Sequence, residues 1–169
     1  IAKDVDLTHC LNLRTSGSTG MPLDIYVGAR ELILRSLFYR MTYFANGGQL
    51  IDREVIITNP RNFGLKNRYQ YLGILNRNYI SIFNDIERQL KIILDFKPEI
   101  IRGYVSSLRN LAIEVKKKNI KGINPKIIFS TAECMTRQDR EFLSSVFQAE
   151  PFDYYACNEC GIIAWECKE

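Results

Sequence analysis

Histidine is nearly absent from this sequence: His9 is the sole one in 169 residues. No Ser–His–Asp arrangement forms around it, and a solvated or packed imidazole is the simpler reading. Long apolar runs are missing as well. No stretch approaches the roughly 18 residues of a membrane span, and no signal peptide is visible. Excess charge is small, a net +4. The densest basic run, Lys116–Lys118, reads as a solvated helix end. It lacks the aromatic–basic interleaving of an RNA-binding surface, so no nucleic-acid partner is expected. There is no internal repeat and no low-complexity segment. Cysteine is sparse and odd in number (Cys10, Cys134, Cys157, Cys160 and Cys167). Without a secretory leader this favours free thiols in a reducing, cytoplasmic setting.

What is present suits a globular chain. Hydrophobic residues make up 46% and charged residues 25%, enough for one core-forming domain or a large part of one. The chain opens at Ile1 in mid-pattern, which suggests a piece of a longer protein. Short apolar stretches alternate with amphipathic ones. Strands are expected over 24–27, 54–58, 79–83, 99–102 and 126–130. A helix is expected over 29–45, with Ile33, Leu37, Met41 and Phe44 on one stripe and Gly47-Gly48 as its stop. Residues 61–78 read as loop. Further helices begin near Asn84-Asp85, at Ser106 or Ser107, and at Thr136, where Asp139 suggests a capping box. Two last strands, 151–155 and 162–166, flank a tight turn. The alternation gives an α/β fold with a mainly parallel sheet flanked by helices. In such sheets functional loops follow the carboxyl ends of strands.

The most informative loop is Thr15-Ser16-Gly17-Ser18-Thr19-Gly20. Its glycines allow positive φ, so successive N–H groups can converge on an anion while the hydroxyls add donors. By itself it fits a polyphosphate cradle or a short Ser/Gly linker. It lacks the Gly-Lys-Ser/Thr ending of the common nucleotide loop.

Taken with Pro22, that segment resembles the phosphate loop [ST]SG[ST]TGxPx of adenylate-forming enzymes, with Met21 where a Lys is common. Three further segments agree in order. Gly103-Tyr104-Val105-Ser106-Ser107-Leu108 is similar to GYPSxL of the phenylacetate–CoA ligase branch. Ser130-Thr131-Ala132-Glu133-Cys134-Met135-Thr136 resembles its xxGAExL[ST] turn. Tyr154-Tyr155-Ala156-Cys157-Asn158-Glu159 resembles YGx[ST]E.

The resemblance spans nearly the whole chain and implies part of the large N-terminal domain of such an enzyme. It implies activation of a carboxylic acid, aryl or arylacetic, by ATP, then transfer to CoA. Thr15 to Gly20 would hold phosphates. Glu133, Tyr155 and Asn158 would border the nucleotide, with the Tyr155 ring against adenine. Tyr104 and Ala132 would line the acyl pocket. Glu159 would be the catalytic carboxylate, holding Mg²⁺. The ribose-binding Asp and the small C-terminal domain with its catalytic Lys would lie beyond residue 169. The piece alone is therefore expected to be inactive, and exposed core surface leaves room for a homodimer. An adenylyltransferase of the same fold, or a non-catalytic capsule-biosynthesis relative, is the alternative.

Cys157 and Cys160, with Cys134 and Cys167, also form a candidate structural Zn²⁺ set, His9 being another potential ligand. Buried, scattered thiols are the plain alternative. A catalytic disulfide is disfavoured, because no thioredoxin-like strand–CxxC–helix opening is present.

Overall fold

The computed structural model describes residues 6–14, 20–64 and 68–168. Eight strands and four α-helices are described. A two-stranded antiparallel ribbon joins β1 (Leu11–Arg14) to β2 (Asp24–Val27), and α1 (Ala29–Ala45) follows. Then come β3 (Glu54–Thr58), β4 (Arg77–Ser81), α2 (Ile86–Phe96), β5 (Ile100–Tyr104), α3 (Val105–Lys117), β6 (Ile127–Thr131), α4 (Arg137–Phe147), β7 (Glu150–Cys157) and β8 (Gly161–Trp165).

The main sheet has the order β4-β3-β5-β6-β7-β8. Its first five strands are parallel, and β8 returns antiparallel to β7. The α/β expectation is therefore met. The direction of winding reverses at β3, which has β4 on one side and β5 on the other. Ligands in open α/β sheets favour the crevice at the carboxyl ends of strands around such a switch.

One face of the sheet is apolar. Val55, Ile57, Ile80, Ile101 and Ile128 meet Leu90 and Ile93 of α2, Leu108, Leu111 and Val115 of α3, and Leu143 and Phe147 of α4. Gly103 belongs on this face because space there is short. A Cβ at Gly103 would stand 3.3 Å from Ile57 Cβ and 3.5 Å from Leu108 Cγ. The local signals for α2 and α4 match expectation. Asp85 accepts from the Arg88 N–H, and Thr136 and Asp139 form the reciprocal capping box.

The opposite face is mixed. Tyr43, Leu75, Ile100, Ile127, Phe129 and Phe152 form a smaller core there. Beside it lies a buried ion cluster. Glu54 accepts from Arg102 Nε at 2.8 Å, from Arg77 Nε at 2.9 Å and from the Tyr39 hydroxyl at 2.5 Å. The Arg102 guanidinium lies 3.9 Å from the Tyr39 ring centroid and 4.5 Å from that of Phe129, so aromatic faces replace part of its lost water. Burial works to raise the Glu54 carboxyl. The charges of Arg102 and Arg77, with hydrogen bonds from Tyr39 and Arg102, outweigh it and hold the group below its ordinary value. Burial pushes the Tyr39 hydroxyl well up, so it stays a donor.

Helix α1 packs on this polar face, and its apolar stripe turns away from the sheet. Ile33, Leu37, Met41 and Phe44 are exposed by 63%, 49%, 52% and 45%. The residues α1 turns inward are Tyr39, Thr42 and Tyr43. Periodicity grouped the apolar stripe correctly, but the sheet offers α1 charges and rings, which polar aromatics satisfy better.

Four further differences are local. Residues 61–78 hold parts of two 3-10 turns, Pro60–Asn62 and Arg68–Leu72, and the start of β4 at Arg77. β4 therefore begins earlier than residue 79. β1 occupies Leu11–Arg14, where no strand was expected. Helix α3 begins at Val105, so Ser106 lies in its first turn and neither serine is its cap.

Candidate active site

Three loops leave the carboxyl ends of neighbouring strands β5, β6 and β7. The β5 end is Tyr104, half-buried, whose hydroxyl lies 3.4 Å from Thr58 Oγ1 at the end of β3. These two strands straddle the switch, so Tyr104 stands where the topology favours a ligand.

The loop after β6 turns sharply. Ala132 has φ +64°, a conformation that favours glycine, and Ala132, Glu133 and Cys134 are exposed. Glu133 reaches across to α3. Its carboxylate accepts from the Ser106 N–H at 2.6 Å and from Ser106 Oγ at 2.8 Å. This gives α3 the acidic N-terminal partner its own sequence lacks. The β5 and β6 loops are thereby joined into one rim.

Strand β7 ends in Tyr155, Ala156 and Cys157, and a turn over residues 158–160 leads to β8. Tyr155 is 68% exposed, so its ring is open to solvent at this edge. Asn158 and Glu159 are exposed on the turn. Their backbone carbonyls accept from Arg35 of α1, Asn158 O from Nη1 at 2.9 Å and Glu159 O from Nη2 at 2.7 Å. The Arg35 side chain is 16% exposed and is anchored in turn by Glu31, one helical turn earlier. Gly161 closes the turn at φ +76°, and a Cβ there would meet Arg35 Cγ at 3.2 Å. Planar, two-pronged donation from Arg35 suits two carbonyls at once.

Thr15, Ser16, Gly17, Ser18 and Thr19 lie outside the described residues. Gly20, at the end of that loop, is exposed with φ +98°. Met21 is 86% exposed. Arg14, before the loop, pairs loosely with Asp24 at 3.8 Å.

The expected zinc set is not assembled. Among the described residues no three of His, Cys, Asp and Glu gather as metal ligands. Only Cys157 and Cys160 meet. Cys167 lies past the far end of β8, about 23 Å of extended chain from Cys160, and His9 stands beside Asp6 at 3.9 Å. The Cys160 thiol is pushed up by its hydrogen bond to Cys157 and by that neighbour's charge.

No family profile matches the chain, and no curated protein matches it in sequence. Solved structures do resemble it. The 2-hydroxyisobutyryl-CoA ligase in its postadenylation state superposes with a TM-score of 0.73 at 14% identity, over 93% of this chain and 34% of that one. The luciferase-like enzyme of the mealworm Zophobas morio gives 0.64 at 14%, over 95% and 37%. VinN gives 0.68 at 12%, over 97% and 41%. The chain shares the fold of the matching part of these structures. The chain spans about a third to two fifths of the length of these structures.

Sequence reasoning missed Arg35, Ser106 as the partner of Glu133, and the Glu54–Arg77–Arg102 cluster. A signal existed for the first: Glu31 and Arg35 have the i,i+4 spacing of a helix ion pair. A signal existed for the last too, since Glu54 and Arg102 interrupt otherwise apolar strands. Among the described residues no helix is long and apolar enough to cross a membrane.

Proposed function

We propose that this chain is the central ATP- and acyl-binding piece of an acid–CoA ligase of the phenylacetate–CoA ligase kind. The observation that carries this reading is the convergence of three resembling segments, far apart in sequence, on the carboxyl ends of adjacent strands β5, β6 and β7. The likeness of the fold to 2-hydroxyisobutyryl-CoA ligase, solved with 2-hydroxyisobutyryl-AMP and CoA, supports it.

In this reading a carboxylate oxygen attacks the α-phosphorus of ATP and pyrophosphate leaves. The CoA thiol then attacks the acyl carbonyl and AMP leaves. Both partners in the first step are anionic, so alignment and charge neutralisation are the main requirements. The loop of Thr15 to Gly20 holds the phosphates through N–H groups and hydroxyls. Tyr155 offers adenine a flat face, flanked by Asn158 and the Ala132–Glu133 turn. Tyr104 and Ala132 line the acyl side. Glu159, an exposed carboxylate on a turn fixed by Arg35, fits a hard divalent cation such as Mg²⁺, which when bound offsets phosphate charge. The ribose contact and the catalytic lysine come from parts of the protein outside this chain.

The test is carboxylate-dependent exchange of labelled pyrophosphate into ATP by the protein that contains this chain, over a panel of aryl, arylacetic and fatty acids. Exchange that requires an acid and is lost in Glu159→Ala is expected. No exchange with any acid, from folded protein that also fails to bind Mg-ATP, would overturn the reading. Exchange without CoA-dependent release of AMP would assign the acyl or adenylyl group to another acceptor.

A further inference from the structure

The turn between β7 and β8 holds two thiols whose geometry the proposed reaction does not use. Cys157 is the last residue of β7 and pairs with Gly161 across the hairpin, while Cys160 is the last residue of the turn. The Cys160 N–H donates to Cys157 Sγ at 3.4 Å, so the Cys157 sulfur is folded back over the turn. Both thiols are free, Cys160 exposed and Cys157 partly so.

The backbone around them is already constrained. Arg35 holds the carbonyls of Asn158 and Glu159, and Gly161 supplies the positive φ that brings the chain back into β8. The ends of a four-residue turn lie within about 7 Å of each other, and a disulfide asks for Cα atoms about 4.4–6.8 Å apart. The bridge therefore asks for side-chain rotation and leaves the strand pairing in place.

We propose that Cys157 and Cys160 form a reversible oxidation site, a dithiol that a small disulfide of the glutathione class converts into an intramolecular disulfide across the turn. Cys157, whose sulfur accepts the Cys160 N–H, loses its proton and attacks one sulfur of the external disulfide. A mixed disulfide forms and one external thiolate leaves. Cys160 then loses its proton and attacks Cys157 Sγ, forming the internal bond and expelling the second external thiolate. Two protein S–H bonds and one external S–S bond become one protein S–S bond and two external thiols. The two electrons lost by the protein reduce the external disulfide. A small thiol in excess reverses the sequence.

This site needs no ATP chemistry, and its test needs no catalytic readout. The full chain is equilibrated with graded mixtures of reduced and oxidised glutathione, quenched in acid, alkylated and mapped by peptide mass, with cleavage at Trp165 separating Cys167 from the pair. The expected product is the peptide of Cys157 and Cys160 lighter by two hydrogens, unalkylated at both thiols and restored by dithiothreitol. It should exceed any other pairing by at least about tenfold, because turn neighbours have the higher effective concentration. Cys160→Ser is expected to stop at a single glutathione adduct on Cys157. The proposal is overturned if Cys157 and Cys160 each keep their own glutathione without closing. It is equally overturned if they stay alkylatable while Cys10, Cys134 and Cys167 react, or if they bridge preferentially to another cysteine or another chain. The wild-type map decides the matter even if the variant does not fold.

Discussion

Glu133 closes the amino end of α3 with both oxygens of its carboxylate on Ser106, a residue 27 positions earlier in the chain. One oxygen takes a backbone N–H that the first helical turn leaves without an intrahelical partner, and the other takes the hydroxyl. Capping groups of this kind contribute about 1 kcal/mol. Glu133→Ala should therefore lower the unfolding free energy by that amount, moving the urea midpoint down without changing the slope of the transition. A midpoint equal to wild type would mean the contact contributes nothing.

The Glu54 cluster predicts a much larger effect. Removing one partner from a buried ion pair costs about 3–5 kcal/mol, because the remaining charge is stranded. Glu54→Ala strands two guanidinium groups and should approach or exceed that range in chemical denaturation. Surface exchanges such as Arg137→Ala, whose partner Glu141 is also exposed, should change stability by less than about 0.5 kcal/mol.

The same cluster sets a direction for pH. The folded-state Glu54 carboxyl lies below its ordinary value. Its contribution to stability is therefore complete above the ordinary glutamate pKa of about 4.3. It is lost as pH falls through the lower folded value. Glu99 and Glu166 are also held low, by Arg53 and Arg140, and add to the same acid limb. Comparing wild type with Glu54→Gln isolates the first: the stability gap should be constant from neutral pH down to about 4.3 and narrow between there and the lower folded value. A gap that widens in acid would contradict the assignment.

Exposure of the α1 stripe gives a sharp contrast. If Leu37 and Met41 were core residues, truncation to Ala would cost about 2–5 kcal/mol each. Since both are about half exposed on a face away from the sheet, Leu37→Ala and Met41→Ala should each cost less than about 1 kcal/mol. Thermal unfolding of the two variants measures this directly.

Arg35 and Gly161 predict the behaviour of the turn at residues 158–160. Arg35→Lys keeps the charge and loses the two-pronged geometry, so amide exchange of Asn158, Glu159 and Cys160 should speed up while the core helices stay protected. Gly161→Ala places a Cβ against Arg35 Cγ at positive φ, a cost of about 1–2 kcal/mol from conformation alone. Unchanged exchange in Arg35→Lys would show that the β7–β8 pairing holds the turn unaided.

Much of the framework was legible from local signals. The bounds of α1 followed from its length and the Gly47-Gly48 stop, and the Thr136–Asp139 box announced α4. The start of β4 was hidden because it is an edge strand that opens on Arg77 and Asn78, polar residues that resemble loop. The face α1 presents inward was hidden for another reason. Periodicity says which residues share a side, but the identity of the surface opposite depends on Glu54 and Arg102, which lie 48 residues apart. The site divides in the same way. Tyr104, Glu133, Tyr155 and Glu159 stand in segments recognisable one by one, whereas Arg35 and Ser106 enter only through contacts that span much of the chain.

The ion cluster also constrains how this sequence can change over generations. Loss of Glu54 alone leaves Arg77 and Arg102 with no counter-charge, and gain of an apolar residue at Arg102 alone leaves a half-matched carboxylate under α1. Each single step passes through a less stable protein, while a coordinated replacement of all three by apolar residues need not. Descendants should therefore keep the trio together or lose it together, and Tyr39, whose ring covers Arg102 and whose hydroxyl serves Glu54, should follow the same fate.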